Sequence, residues 1–221
     1  MKSPREAETH RLIAGDSCLD FVNTLNGHDR LRGHEYLHDF TDLILWSKHA
    51  RLLSAHQATL ILREASRFPR MSHAVFRRTL QLRESLFRVF HAIAMAQEPP
   101  AADVRRLDGA WHQGQRHASL RRAGAVFTRG WDDDPLLDRI PRLLTVYAVD
   151  LLTSSEVERV RACLGNDCDW LFIDRSRNHQ RRWCSMDECG NRAKMRRRRE
   201  RQKRMGPIRV LPGAPLSSVT G

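Results

Sequence analysis

The chain has 221 residues, enough for one ordinary domain and a small additional module but too few for two large domains. It carries 38 Lys and Arg against 26 Asp and Glu, a net charge of +12, which indicates a polyanionic partner and favours nucleic acid over an anionic membrane surface. No run of about 18 apolar residues is present, which excludes a membrane-spanning helix, and residues 1–10 lack the apolar stretch of a secretion signal, so we expect a cytosolic protein with reduced cysteines.

Residues 1–158 are predicted to form an α-rich domain, because apolar residues recur there at helical spacing. Ser54 and Gln57 form a capping-box pattern, and Pro141 is expected near the start of a helix or at a kink. The predicted helices cover residues 39–53, 55–67, 72–97, 102–117 and 143–152. Residues 119–131 around Gly124 are typical of a β-hairpin, Asp134-Pro135 is a helix-start signal, and residues 155–158 form a further capping box.

Residues His34-Glu35-Tyr36-Leu37-His38 match the H-E-x-x-H string of zinc peptidases. In those enzymes two His one helical turn apart bind the ion, and the Glu activates water. Gly33 and the arginines before it indicate a loop, and no supporting third ligand is evident. We therefore interpret the string as a chance match and keep a metallopeptidase only as a remote alternative.

Cys18 lies in an otherwise apolar run and is expected to be a small buried residue. Asp20, Asn23 and Thr24 are polar residues in the same run. Such side chains most often cap a helix or bond to backbone. A ligand pocket or an interface formed by these three residues is the alternative.

Residues 159–204 differ sharply in composition from the rest of the chain. They contain 15 Lys or Arg and 6 Asp or Glu, so they carry +9 of the total charge of +12, and they hold four of the five cysteines. This shift predicts a boundary after residue 158. Residues 205–221, rich in Pro and Gly, are predicted to be a disordered tail.

The four cysteines form two close pairs joined by a linker, Cys163-x4-Cys168-x15-Cys184-x4-Cys189. Two such pairs suit one tetrahedral Zn²⁺, because each pair chelates from one turn and the linker folds back to join them. An iron–sulfur cluster, redox thiols and unliganded cysteines are the alternatives.

The linker predicts a treble-clef-like module. Residues 170–174 form a strand pattern, 175–178 a turn and 180–184 a return strand, and Ser185 begins a capping box before a helix. The core would consist mainly of Trp170, Phe172, Trp183 and Met186, so the module should need its metal to fold. His179 is expected at the surface.

The helix after Cys189 has no apolar face beyond Met195, so we expect it to contact a polyanion rather than a core. A zinc–tetrathiolate site carries about −2, which leaves the module at about +7. The predicted nucleic-acid contacts are Arg175, Arg177, Asn178, Arg181, Arg182, Asn191, Arg192, Lys194, Arg196, Arg197, Arg198 and Arg199.

Two strings, Cys168 to Asn178 and Trp183 to Lys194, together resemble the CGNR zinc-finger family, whose name corresponds here to Cys189-Gly190-Asn191-Arg192. Residues 18–24, 42–46 and 82–87 are similar to the ABATE domain that usually precedes this finger. The resemblance implies a bacterial stress-related transcription regulator with zinc bound by the four cysteines Cys163, Cys168, Cys184 and Cys189, in the cytosol or nucleoid.

The sequence therefore favours a DNA-binding regulator that is not an enzyme, with one structural Zn²⁺ per chain and double-stranded DNA as its partner. The N-terminal domain is expected to act in sensing, with a small-molecule effector, or in homodimerisation. An RNA- or ribosome-binding zinc protein is the alternative, since a short basic finger suits either nucleic acid.

Overall fold

The computed structural model describes residues 5–28, 33–116, 118–131 and 136–205. Within these residues the helices are α1 (Glu6–Thr9), α2 (Ser17–Val22), α3 (Phe40–His49), α4 (Ala55–Arg67), α5 (Pro69–Ala94), α6 (Ala101–Gln115), α7 (Arg139–Leu152) and α8 (Asn191–Met205). The antiparallel strand pairs are β1 (Leu25–Asn26) with β2 (His34–Glu35), β3 (Ala118–Ala123) with β4 (Val126–Trp131), and β5 (Val160–Ala162) with β6 (Leu171–Ile173). The predicted fold class, mainly α with a small β element, is confirmed.

Local capping sets the starts of α3 and α4. The Asp39 carboxylate accepts a hydrogen bond from the Asp42 backbone N–H, and Ser54 and Gln57 form the predicted capping box. Helix α3 ends four residues before the predicted position, because the chain turns at Arg51, which has a φ of 60°. Helix α5 begins at Pro69, earlier than predicted, because proline in the first turn loses no helical hydrogen bond.

Helix α7 also begins earlier than predicted. It starts at Arg139, so Pro141 is its third residue, a position whose N–H has no partner within the helix. The predicted helix start at Asp134-Pro135 lies outside the described residues. The capping prediction at Ser155 is wrong by one position: Ser154 Oγ accepts a hydrogen bond from the Glu156 backbone N–H at 3.2 Å and caps a short 3₁₀ helix.

The predicted hairpin around Gly124 is confirmed. Strands β3 and β4 pair in register from Ala118 with Trp131 to Ala123 with Val126. Gly124 adopts a φ of 65°, which a residue with a side chain rarely takes, and so allows the tight turn. Leu120 and Phe127 on this hairpin are exposed.

The main hydrophobic core lies around α5. Its bulkiest fully buried side chains include Phe21, Trp46, Leu86, Phe90 and Ile140. Cys18 is completely buried in the same core, as predicted. Among the described residues, none of the helices combines the length and the apolar character needed to cross a bilayer.

Strand β6 joins the two parts of the chain by its alternating side chains. Leu171 and Ile173 belong to the main core with the N-terminal helices, while Phe172, with Trp170 just before the strand, belongs to a second cluster with the four cysteines. Successive side chains of a strand point to opposite faces, so one short strand forms a wall of both cores. The Ile173 N–H donates to the Ala14 carbonyl at 2.7 Å and extends this contact to the backbone.

The predicted return strand at residues 180–184 is wrong. That segment forms no strand, and β6 pairs instead with β5, which runs through Val160–Ala162 just before the first cysteine. The sequence pattern did not reveal this pairing, because β5 is only three residues long.

Candidate metal centre and basic helix

The side chains of Cys163, Cys168, Cys184 and Cys189 converge in the structure. All four are buried, and their sulfur atoms lie within 4.8 Å of one another. Cys184 Sγ is 3.6 Å from Cys168 Sγ and 3.6 Å from Cys189 Sγ. A tetrahedral ion with metal–sulfur bonds of about 2.3 Å holds its sulfurs about 3.8 Å apart, so the four thiols fit a single ion.

The first cysteine pair is held by the loop between β5 and β6. The Cys163 N–H donates to the Trp170 carbonyl at 2.9 Å, and the Cys168 N–H donates to the Gly165 carbonyl at 3.1 Å. A methyl group at Gly165 would lie only 3.1 Å from Cys189 Sγ. The loop therefore closes tightly on the sulfurs, and a side chain at this position would require its neighbours to shift.

The second pair is tied to the first through backbone. The Cys184 N–H donates to Cys163 Sγ at 3.3 Å, and Cys189 lies in a π-helical turn, Met186–Gly190, which continues into α8. The predicted capping box is wrong, since the Ser185 side chain caps no helix N–H and its Oγ lies 3.3 Å from an Arg11 guanidinium nitrogen. The prediction that Met186 belongs to the core is wrong, since this residue, the first of the π turn, is 65% exposed.

Hydrogen bonds within the cluster favour a thiolate at Cys163 and raise the pKa of the Cys168 and Cys184 thiols. Hydrogen bonds from Cys168 and Cys184 lower the pKa of the Cys163 thiol, and the same sharing of protons raises the pKa of Cys168. Arg192 donates to Cys189 Sγ at 3.1 Å, and this bond raises the pKa of the Arg192 guanidinium. Thiolate is the form that binds a metal, so a proton-sharing cluster beside a fixed cation is suited to that role.

Asp20, Asn23 and Thr24 lie at the contact between the helical part and the finger or beside it, and each bonds within the chain. The Asn23 amide donates to the Leu171 carbonyl at 2.9 Å and accepts from the Leu171 N–H at 2.9 Å. Asp20 accepts from the Ala14 N–H at 2.9 Å, and the Thr24 hydroxyl donates to the Phe21 carbonyl at 2.7 Å. The sequence singled out these residues, but only the fold shows that Asn23 holds β6.

Three further contacts across this boundary were not found from the sequence. The Asp169 carboxylate accepts from the Gly27 and His28 backbone N–H groups at 2.9 and 2.6 Å. Arg11 pairs with Glu188 at 2.6 Å. Each contact depends on a single charged residue, and an isolated charged residue in a sequence does not predict which distant group it will contact.

The predicted nucleic-acid contacts fall into two groups. Three of the arginines have partners inside the protein: Arg175 forms a bidentate pair with Glu156, Arg181 lies over the Phe172 ring and donates to backbone carbonyls, and Arg192 contacts Cys189. Arg196 is half-buried. The other eight predicted contacts are exposed, as Arg175 and Arg192 also are: Arg177, Asn178, Arg182, Asn191, Lys194, Arg197, Arg198 and Arg199.

The H-E-x-x-H string does not form a helix. His34 and Glu35 lie in β2, so His34 and His38 are not one helical turn apart. His34 Nε2 lies 3.1 Å from a Glu6 carboxylate oxygen, and the Glu35 carboxylate pairs with the buried Arg83 at 2.6 and 2.8 Å. This geometry is not that of a peptidase zinc site.

The burial of Asp20 beside the contact between the helical part and the finger can be tested by varying the pH, because burial raises the pKa of this carboxyl from 3.8 to about 6. A raised pKa favours the protonated form in the folded state, so the stability contributed by this group is complete below about pH 4 and is lost as the pH rises through 6. Asp20→Asn cannot ionise and keeps an acceptor for Ala14. We expect the free energy of unfolding of the variant, relative to that of the parent, to increase by up to about 3 kcal/mol between pH 4 and pH 7.

The measurement is urea unfolding of both proteins at several pH values. An unfolding free-energy difference that does not change between pH 4 and pH 7 would contradict the assignment to Asp20.

Taken together, the helical domain and the buried tetrathiol cluster define a class: a zinc-finger protein with a helical N-terminal domain. The ABATE family model, described as "Putative stress-induced transcription regulator", matches residues 15–155, and the CGNR zinc finger model matches residues 159–202. The chain belongs to the ABATE family and carries a CGNR zinc finger. A search of curated proteins found no match.

Proposed function

We propose that this protein is a DNA-binding transcription regulator whose finger is folded around one structural Zn²⁺ and whose helix α8 contacts duplex DNA. The observation that carries the proposal is the continuity of α8 with the metal cluster. The π turn that contains Cys189 runs directly into the helix, so an ion at the cluster fixes the direction in which a dense row of cations projects.

The donor set supports zinc as the ion. Four buried sulfurs within 4.8 Å of one another are typical of structural zinc and of some iron sites, in which four thiolates fill the coordination shell of the ion. The cluster would hold the ion through Cys163, Cys168, Cys184 and Cys189. We accordingly propose a protein that is not an enzyme.

The composition of α8 supports nucleic acid as the partner. On the side of the helix away from the N-terminal domain, Lys194, Arg197, Arg198 and Arg201 are exposed. A helix with one exposed cationic side can enter the major groove, where each phosphate contact releases counterions. If about six phosphates are contacted, log K should fall with log[salt] at a slope of about −5.

Neutralising the arginine run tests this proposal. We expect the fourfold variant Arg196→Ala, Arg197→Ala, Arg198→Ala, Arg199→Ala to keep one equivalent of metal, because none of the four side chains bonds to a cluster sulfur. Duplex binding should weaken about 10-fold or more, and the salt slope should flatten by at least about 2. Fluorescence anisotropy of a labelled duplex between 50 and 300 mM salt measures both quantities.

A matched control removes the same charge elsewhere. Arg63, Arg67, Arg70 and Arg77 are exposed on α4 and α5, and their replacement by Ala changes the net charge equally. Equal losses in the two fourfold variants would mean that overall charge, rather than α8, governs binding. Undiminished binding in the α8 variant would refute the proposal.

The N-terminal domain is proposed to act in sensing or homodimerisation, and an RNA- or ribosome-binding role for the finger remains the second candidate. Aromatic side chains near α8, among them the half-buried Tyr36, favour that second role, since unpaired bases stack on such rings. Competition between duplex DNA and structured RNA at one salt concentration separates the two functions.

A further inference from the structure

A concave groove separates α8 from the N-terminal segment of the chain. Its volume is about 980 Å³, at the upper end of what ligand-binding pockets have. One wall is the inward face of α8 with Arg192, Arg196 and Arg199, and the other is formed by N-terminal residues including His10 and Tyr36. The residues at 192, 196 and 199 repeat every three to four positions, so they share one face of the helix.

Unsatisfied polar atoms are concentrated along this groove. His10 Nδ1, Asn26 Oδ1 and Trp170 Nε1 are buried and have no hydrogen-bond partner among the described residues, and all three residues line the groove. His10 is 2% exposed and Trp170 is 7% exposed. Buried polar atoms without partners are costly and rare. These three lie beneath the groove surface and are closed to solvent, so they make its wall polar without being open to a ligand themselves.

The three atoms are two acceptors and one donor. His10 Nε2 lies 3.0 Å from the Asn23 carbonyl, to which only an N–H can donate, so the neutral ring leaves Nδ1 as an acceptor. Asn26 Oδ1 is a second acceptor and Trp170 Nε1–H is a donor. The groove wall beside Tyr36 is therefore polar as well as aromatic.

The aromatic side chains provide a stacking surface beside these atoms. The Tyr36 ring is half-buried and contacts the His10 ring edge-on, with ring centroids 4.8 Å apart. The exposed His34 ring contacts Tyr36 in the same way at 4.5 Å. Bases stack on such rings with little dependence on sequence.

Charge is distributed unevenly along the groove. At the finger end, Glu188 pairs with Arg11 at 2.6 Å and Arg192 bonds to Cys189, so these cations are engaged, and the Asp187 carboxylate also lies at this end. At the α8 end, Arg199 is exposed, and Arg196 lies 3.8 Å from Glu200 in a long, solvent-exposed pair. Phosphate is therefore favoured beside Arg196 and Arg199, and the base beside Tyr36 and Trp170.

We propose that this groove binds an unpaired segment of a polynucleotide, with its phosphates on Arg196 and Arg199 and a base against Tyr36. The inference deepens the proposed function and rests on it. A duplex is read by an element that projects into its groove, which suits the outward side of α8, whereas a concave channel with aromatic walls suits a single strand. Helix α8 thus presents one face to a duplex and the other to a strand.

Two matched double variants of the full chain test the assignment of faces. The groove pair, Arg196→Ala/Arg199→Ala, removes two positive charges from the face of α8 that borders the groove. The outward pair, Arg198→Ala/Arg201→Ala, removes the same charge at the same spacing from the opposite face. The probes are labelled dT10, its ribo counterpart rU10 and a labelled duplex. We expect the groove pair to weaken dT10 or rU10 binding about 10-fold or more and duplex binding less than about 3-fold. The outward pair should weaken duplex binding about 10-fold or more and dT10 or rU10 binding less than about 3-fold.

The aromatic wall has its own test. Tyr36→Leu should weaken single-strand binding about 10-fold, and Tyr36→Phe should restore it, because the phenyl ring still stacks. Metal content and thermal unfolding of each variant check that the finger is intact. A loss that Phe does not rescue would overturn the stacking role.

The outcomes separate this inference from the proposed function. If the outward pair reduces duplex binding but the groove pair leaves dT10 and rU10 binding unchanged, the groove inference fails and the function stands. If neither pair affects any probe, α8 is not a nucleic-acid surface and both fail. If dTMP displaced dT10 at the same nucleotide concentration, the ligand of the groove would be a free nucleotide rather than a strand, and the inference would be overturned.

Discussion

Cys184→Ser is expected to lose the metal and unfold the finger. Cys184 lies at the centre of the cluster, with its sulfur 3.6 Å from two others and its N–H on the sulfur of Cys163. Structural zinc contributes about 10–16 kcal/mol of apparent binding energy in small fingers, and much of this is folding energy. Metal affinity should fall more than about 100-fold, and nucleic-acid binding should be abolished. Elemental analysis and duplex binding of the purified variant measure the two effects.

Cys18→Ser is the matched control for that experiment. It removes the remaining cysteine thiol, which is completely buried in the main core and lies outside the tetrathiol cluster. We expect it to lower stability and to retain one equivalent of metal. Stoichiometric metal in Cys184→Ser, or an equal loss of metal in both variants, would contradict the proposed site.

The second large effect is expected at Asn23. Asn23→Ala removes both hydrogen bonds to Leu171, which is completely buried, and leaves its N–H and its carbonyl without partners. Each buried unsatisfied group costs about 1–3 kcal/mol, so we expect a loss of about 2–5 kcal/mol in the free energy of unfolding. Urea unfolding of the full chain at neutral pH measures it.

Two variants sharpen this test. Asn23→Asp has the same shape and keeps an acceptor for the Leu171 N–H, but it places a carboxylate against the Leu171 carbonyl and should also destabilise strongly. Asn178→Ala changes an exposed asparagine and should shift stability by less than about 0.5 kcal/mol. If Asn23→Ala behaved like Asn178→Ala, the clamp on β6 would have no energetic role.

These two predictions are linked through strand β6. Its Phe172 packs with the cysteines, as does the preceding Trp170, and its Leu171 and Ile173 pack with the helices, so metal binding and the helical core share one element. Removal of the metal should therefore lower the stability of the N-terminal helices as well as that of the finger. We therefore do not expect the finger to fold as a unit independent of the helical domain.

Short-range patterns predicted much of the fold. The capping box at Ser54, the hairpin at Gly124 and the long apolar stripe of α5 depend on residues within a few positions of one another, and these local signals acted in the structure as predicted. Around the finger the same kind of reasoning failed. The return strand at 180–184 and the cap at Ser185 are absent, because the cluster and Arg11 impose other conformations on those segments.

The sequence by itself determined the ligand chemistry, because the type and spacing of Cys163, Cys168, Cys184 and Cys189 restrict which ion four thiolates can share. It also determined the strongly basic character of α8. The tertiary structure alone decided that Asn23 clamps Leu171 over a separation of 148 residues and that Arg175 and Arg181 are engaged inside the protein. It also decided that one face of α8 borders a groove. Contacts between residues far apart in the chain depend on how the elements pack, and no local pattern encodes that packing.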